Sequence, residues 1–162
     1  AECRAVAAVC GGEVLREVPF ETFLAKLPEC RRQCGDRAVL RAFHIYADND
    51  RVAKQVAALR EGDFGTFLRL VSESGNSSWE YLQNVIPAGY KEHQEMGVTI
   101  AAAKHYLHGK GAVRVHGGGF AGTAQAFVPV EMLSEFKQNM EAILGKGRCH
   151  VLSIRPEGGA VL

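Results

Sequence analysis

Gly117-Gly118-Gly119-Phe120-Ala121-Gly122 places four glycines in six residues, between two runs of strand-forming side chains. Successive backbone N–H groups in such a turn point one way and make a small anion cradle. Glycine also lets a backbone lie against a ligand or against another backbone. The same composition equally builds a tight hairpin or bulge that binds nothing. Val113 and Val115 alternate with Arg114 and His116, so the two polar side chains share one side of a half-buried strand that runs into the loop. Arg114, His116, Gly117, Gly118, Gly119, Phe120, Ala121 and Gly122 are therefore the candidate ligand-facing residues.

Other chemistries for this stretch fail on context. The loop fits the G-x-G-x-x-G dinucleotide pattern, which needs a helix straight after it to hold the pyrophosphate; here a strand and Pro129 follow. No lysine-serine pair completes a P-loop. His116-Gly117-Gly118-Gly119 matches the oxyanion loop of some esterases, but no G-x-S-x-G nucleophile elbow accompanies it. His105 and His108 lie three apart near a helix end without the H-E-x-x-H frame of a zinc site, and read as histidines favoured by the helix dipole. His44 beside Phe43 reads as core or interface packing. Asp48 and Asp50, two apart on one helix, face different ways and make a poor acid/base pair. No nucleophile, base and orienting group stand together in the sequence, so no catalytic residue and no metal site is assigned in this chain.

The bulk properties fit one domain spanning residues 1–162, long enough to bury a core. Hydrophobic content is 47%, charged content 23% and formal net charge +1, which gives no basic footprint for nucleic acid. No apolar run approaches membrane-spanning length. Ala1–Cys10 carries Glu2 and Arg4 and does not read as a secretory leader. The five cysteines are odd in number and lack C-x-x-C spacing, which reads as reduced thiols in a cytoplasmic protein.

The elements that must position the loop follow from periodicity and punctuation. Ala1–Cys10 has helical composition, stops at Gly11-Gly12, and reads as the interior of a helix whose start is missing. Phe20–Leu27 is a short helix closed by Pro28. Asp36 is the expected N-cap of a long helix from about Arg37 to Arg60, with Phe43, Tyr46, Val52, Val56 and Leu59 on a broad apolar face. Asp63 caps a second helix through Phe64, Phe67, Leu68 and Val71, ending near Gly75. Ser77-Ser78-Trp79-Glu80 fits a capping box for a helix that continues to Val85. Ala88–His108 is predicted as the last long helix before the glycine hairpin. Ala124–Val128 is the outgoing strand, Glu131–Leu144 a helix, Cys149–Ile154 a strand, Pro156–Gly159 a turn and Ala160–Leu162 a last strand. Helices on one face of a mainly antiparallel, four-stranded sheet bury this pattern, an α+β fold.

Three stretches together carry a resemblance. Arg41-Ala42-Phe43-His44-Ile45-Tyr46-Ala47-Asp48-Asn49-Asp50-Arg51-Val52 is similar to the R-A-x-H-x-x-x-E-N-x-R-V helix of galactokinases. Leu59–Ser74 resembles their L-x-x-G-D…F-G-x-L-M-x-x-S-H, and His116–Gly122 their T-G-G-G-F-G-G, in the same order and spacing. The resemblance implies the ferredoxin-like C-terminal domain of a GHMP small-molecule kinase of divergent bacterial type, with an N-terminal domain as its partner across a cleft. It implies transfer of the ATP γ-phosphate to the C1 hydroxyl of galactose or a related hexose. ATP and Mg would then be held through the N-terminal domain, and this chain alone would be inactive. His116 stands where that family has threonine, Ala121 replaces a glycine, and Gly75 replaces the histidine of S-H. These departures also fit a non-catalytic, sugar-sensing relative or a kinase for another small sugar.

Overall fold

The computed structural model of the chain describes residues 1–120 and 122–154. Helices α1 (Glu2–Cys10), α2 (Phe20–Ala25), α3 (Leu27–Cys34), α4 (Asp36–Arg60) and α5 (Phe64–Ser77) come first; a single π turn, Ser78–Leu82, extends α5. Helix α6 (Glu95–Leu107), strands β1 (Ala112–Val115) and β2 (Ala124–Phe127), and α7 (Leu133–Leu144) follow. The architecture is α+β. The strands pair antiparallel, Ala112 opposite Phe127 and Val115 opposite Ala124.

Four strands were expected, and the described residues hold a two-stranded sheet. Cys149–Ile154 forms no ladder. Val151, Leu152 and Ile154 are 61%, 88% and 88% exposed, so the apolar run that predicts a strand finds no neighbouring edge among the described residues. The turn at Pro156–Gly159 and the strand at Ala160–Leu162 lie outside the described residues.

Two apolar clusters form. The first gathers Val6, Ala7 and Cys10 of α1, Phe23 of α2, Cys30 of α3, and Ala38, Val39 and Ala42 of α4. Phe23 is fully buried, with ring centroids 4.9 Å from Phe43 and 5.4 Å from Tyr46. Its burial contributes about 1.5–3 kcal/mol. Cys10 and Cys30 meet here with their sulfurs 3.7 Å apart, and burial pushes the Cys30 thiol up to about 11. The second cluster joins Ile100, Ala103 and Leu107 of α6, Val113 and Val115 of β1, and Phe136 and Met140 of α7. Helix α5 packs on both α4 and β1, and so ties the two clusters together.

Local chemistry departs from the sequence reading in instructive ways. Pro28 lies in the first turn of α3 rather than closing α2, because proline's missing N–H is no loss at a helix start. Asp36 is the first residue of α4 rather than its cap; Gly35 takes the cap position and the Asp36 carboxylate accepts from Arg31 Nε at 2.6 Å. Asp63 does cap α5, accepting from the Thr66 N–H at 2.9 Å, a bond that holds its carboxyl below the usual range. No capping box forms at Ser77–Glu80, since α5 runs through Ser77 into the π turn. Helix α6 begins at Glu95 rather than Ala88, with Pro87 and left-handed Gly89 (φ +86°) in the irregular segment before it. The expected apolar face of α4 holds only at its N-terminal half: Val52, Val56 and Leu59 are 54%, 42% and 51% exposed.

Gly75 marks the closest approach of α5 to β1. A Cβ there would stand 2.8 Å from Arg114 Cβ and 3.3 Å from the Val113 carbonyl oxygen. Glycine inside a helix ordinarily costs up to about 1 kcal/mol relative to alanine; here the lost side chain lets helix and strand touch. Gly75→Ala is therefore expected to destabilise the protein by about 1–3 kcal/mol through overpacking. Gly65→Ala on the same helix, where the added methyl meets only Asp63 Oδ1 at 3.6 Å, should be neutral or stabilising by up to about 1 kcal/mol. Chemical denaturation of the two variants checks the opposite signs.

Candidate functional site

The incoming strand and the outgoing strand frame the glycine loop as the sequence predicts. The His116 N–H donates to the Thr123 carbonyl at 3.0 Å and closes the neck of the hairpin. Gly117, Gly119 and Gly122 have φ of +65°, +76° and +76°, and Phe120, a non-glycine, sits at +57°. Left-handed backbone at three glycines explains the composition, since a β-carbon there is strained.

The loop has two unlike halves. His116, Gly117 and Gly118 are exposed, and added Cβ atoms at Gly117 and Gly118 would meet nothing within 4 Å. Gly119 is pressed onto Asn84: a Cβ there would lie 2.3 Å from the Asn84 carbonyl oxygen. The Phe120 N–H donates to that same oxygen at 3.1 Å, while the Phe120 ring is 50% exposed. Ala121 lies outside the described residues. Arg114, expected beside His116 at the loop's border, turns its guanidinium inward, donating to the Ser74 hydroxyl and through Nε to the Val115 carbonyl at 3.1 Å. His116 and the open glycines thus stay together at the surface; Arg114 joins a different set.

That set lies between α4, α5 and β1. His44 is 4% exposed, its Nδ1 3.0 Å from Ser77 Oγ and its Nε2 3.5 Å from Asp48 Oδ2. Asp48 Oδ1 accepts from the Ser74 hydroxyl and from Arg51, each at 2.6 Å. Burial, aided by the positive charges of Arg51 and Arg114 and opposed by Asp48, depresses the His44 basicity. A neutral ring protonated at Nε2 would face the Asp48 carboxylate with that N–H and accept the Ser77 O–H at Nδ1. A serine, a histidine and an aspartate therefore do meet, although no such set was legible in the sequence. They span two helices, with His44 and Asp48 one turn apart on α4 and Ser77 brought in from α5. Ser77 is itself 4% exposed and held in a closed helix interface, so it has no approach for a substrate carbonyl. The set organises the fold rather than attacking a substrate. Asp50, by contrast, points to solvent and pairs with Lys54 at 2.6 Å.

Sequence reading missed Ser74, Ser77, Ser78 and Asn84. Ser77 and Ser78 carried the signature of a capping box, and Asn84 stood in a stretch with no period. Among the described residues no three His, Cys, Asp or Glu side chains converge as a cation would need. No described helix is long and apolar enough to cross a membrane.

Fold and site define an α+β unit that presents a glycine hairpin at its surface, braced from behind by a buried polar network. Comparison with known proteins gives that unit its relatives. No protein-family model matches the sequence. Over 137 residues, 85% of this chain, it is 30% identical to a galactokinase of Mannheimia succiniciproducens, and 29% identical to galactokinases of Actinobacillus pleuropneumoniae and Glaesserella parasuis. In each case the match covers 34% of the relative, so the chain spans about a third of the length of the curated relatives it matches. The resemblance to galactokinases carried by the three motifs is borne out: the chain is similar to them along most of its own length.

His44 gives the network a pH signature. Its folded-state basicity lies below the ordinary 6.5, so the unfolded chain takes up a proton first as pH falls. Stability is therefore fully present above about pH 6.5 and is lost progressively as pH drops below it. His44→Asn keeps an acceptor for Ser77 but cannot be charged. It is expected to lower the melting temperature at pH 7.5 and to flatten the fall between pH 7.5 and 5. Melting curves of parent and variant that drop in parallel would assign the acid sensitivity to other groups.

Proposed function

We propose that this chain is the hairpin-bearing C-terminal part of a galactokinase-like sugar kinase. The longer protein transfers the γ-phosphate of ATP to the C1 hydroxyl of galactose, with Mg²⁺. One observation carries the reading: the glycine motif that carries part of the resemblance to galactokinases is a hairpin whose open half, His116, Gly117 and Gly118, is at the surface and unobstructed. Phosphoryl transfer depends on positioning and charge neutralisation more than on covalent chemistry, and a loop without side chains can approach phosphates and sugar closely. Backbone N–H groups and the His116 imidazole are what the open half offers a ligand. In this reading the metal and the phosphate cradle belong to the remainder of the longer protein, across a cleft from the hairpin.

Two preparations test this: the 162-residue chain and the longer protein that contains it, each assayed with ATP, Mg²⁺ and a panel of hexoses. The longer protein is expected to form galactose 1-phosphate and the chain alone to give none. Turnover by the chain alone refutes the division of labour. A longer protein that phosphorylates no hexose, yet binds one, selects the non-catalytic sugar-sensing alternative.

A further inference from the structure

Asn84 is 3% exposed and belongs to no helix or strand. It is held where the π turn ends, just after Gln83 in left-handed conformation at φ +52°. Every polar atom of its side chain is engaged. Oδ1 accepts from the Ser78 hydroxyl at 2.8 Å, and Nδ2 donates to the Gly118 carbonyl at 3.4 Å. Its backbone carbonyl accepts the Phe120 N–H. Gly119, between those two contacts, lies so close that a β-carbon would stand 2.7 Å from Asn84 Cβ and 2.8 Å from Cγ. Three consecutive hairpin residues are therefore moulded on one buried residue, through its side chain and its backbone carbonyl, from a segment more than thirty residues away, while Gly117 and the outer face of Gly118 remain free.

We infer that Asn84 is the positioning residue of the glycine hairpin: with Ser78 behind it, it fixes the backbone of Gly118–Phe120 so that the open half of the loop is held in one conformation for the ligand. This rests on the reading of the hairpin as part of a sugar-kinase site. A glycine-rich loop left to itself samples many conformations, and ordering it on binding would weaken affinity and rate. A buried amide is suited to the task because it accepts at one end and donates at the other. Ser78, which is fully buried, fixes which end is which by donating to Oδ1. Aspartate, of the same shape, would still accept from Ser78 but would turn a second acceptor onto the Gly118 carbonyl.

The experiment uses the longer protein and two readouts. Hydrogen exchange of the peptide covering residues 116–123 reports the order of the hairpin, and steady-state kinetics with galactose and ATP report its function. Asn84→Asp is expected to speed exchange in that peptide by about tenfold or more, with peptides from α1–α4 unchanged. It should lower kcat/KM by about 10- to 100-fold, the order expected for misplaced groups. Ser78→Ala acts in the same direction more weakly, and keeps the test alive if Asn84→Asp does not fold. Unchanged hairpin exchange in both variants overturns the inference. Gly118→Ala adds a methyl on the open side and separates the two claims. If it impairs turnover while Asn84→Asp and Ser78→Ala leave kinetics intact, the hairpin serves the site and Asn84 does not position it. If exchange rises in Asn84→Asp while Gly118→Ala and Asn84→Asp both turn over normally, Asn84 orders the hairpin and the kinase-site reading falls.

Discussion

The hydroxyl of Ser74 holds this structure at its middle. It donates to Asp48 on α4 and accepts from Arg114 on β1, so one oxygen on α5 links three elements. Ser74 is 3% exposed, and a buried polar group left without its partner costs about 1–3 kcal/mol. The requirement is therefore strict: α4, α5 and β1 keep their mutual register or several buried groups lose their bonds together. His44 and Ser77 extend the same seam, and Arg51 supplies Asp48 with a cation. Apolar contact alone tolerates sliding of one helix over another, whereas directional bonds do not.

The seam lies between the two apolar clusters and, through α5 and β1, connects them to the base of the hairpin. One cluster fixes α1–α4, the other fixes α6, β1 and α7, and α5 is common to both sides. Its C-terminal stretch does this with three serines. Ser74 serves Asp48 and Arg114, Ser77 serves His44, and Ser78 serves Asn84, on which the glycine loop rests. Gly75, among these serines, removes the one side chain that would push α5 off β1. The departure from the galactokinase pattern at that position thus has a steric explanation. The departure at His116 has none among the described residues: the side chain is exposed, and there only its backbone is bonded.

Much of the hairpin was legible before any coordinates. Alternation at Val113 and Val115 announced β1, and the clustered glycines announced a turn that requires positive φ. Asp63 and Gly62 gave the break between α4 and α5, because capping and left-handed termination are local events. Pro28, Asp36 and Ser77 misled for one common reason. Each residue type has two local roles, and what decides between them is whether a neighbouring helix continues, which is not local information. Cys149–Ile154 shows a different limit: an apolar run becomes a strand only where it pairs with an edge, and among the described residues this one pairs with none.

What the sequence by itself determined is the kind of backbone at the loop and the likeness to galactokinases, since glycine conformation and motif order are written in consecutive residues. What only the tertiary structure decided is which side chains stand behind that loop. Arg114 was expected to face a ligand and instead faces Ser74; Asn84, which no spacing distinguishes, carries Gly119 and Phe120. The reason is physical. A strand's alternation fixes which of two faces a residue occupies, but not what packs on that face, and here a helix approaching over a glycine made the polar face of β1 an interior.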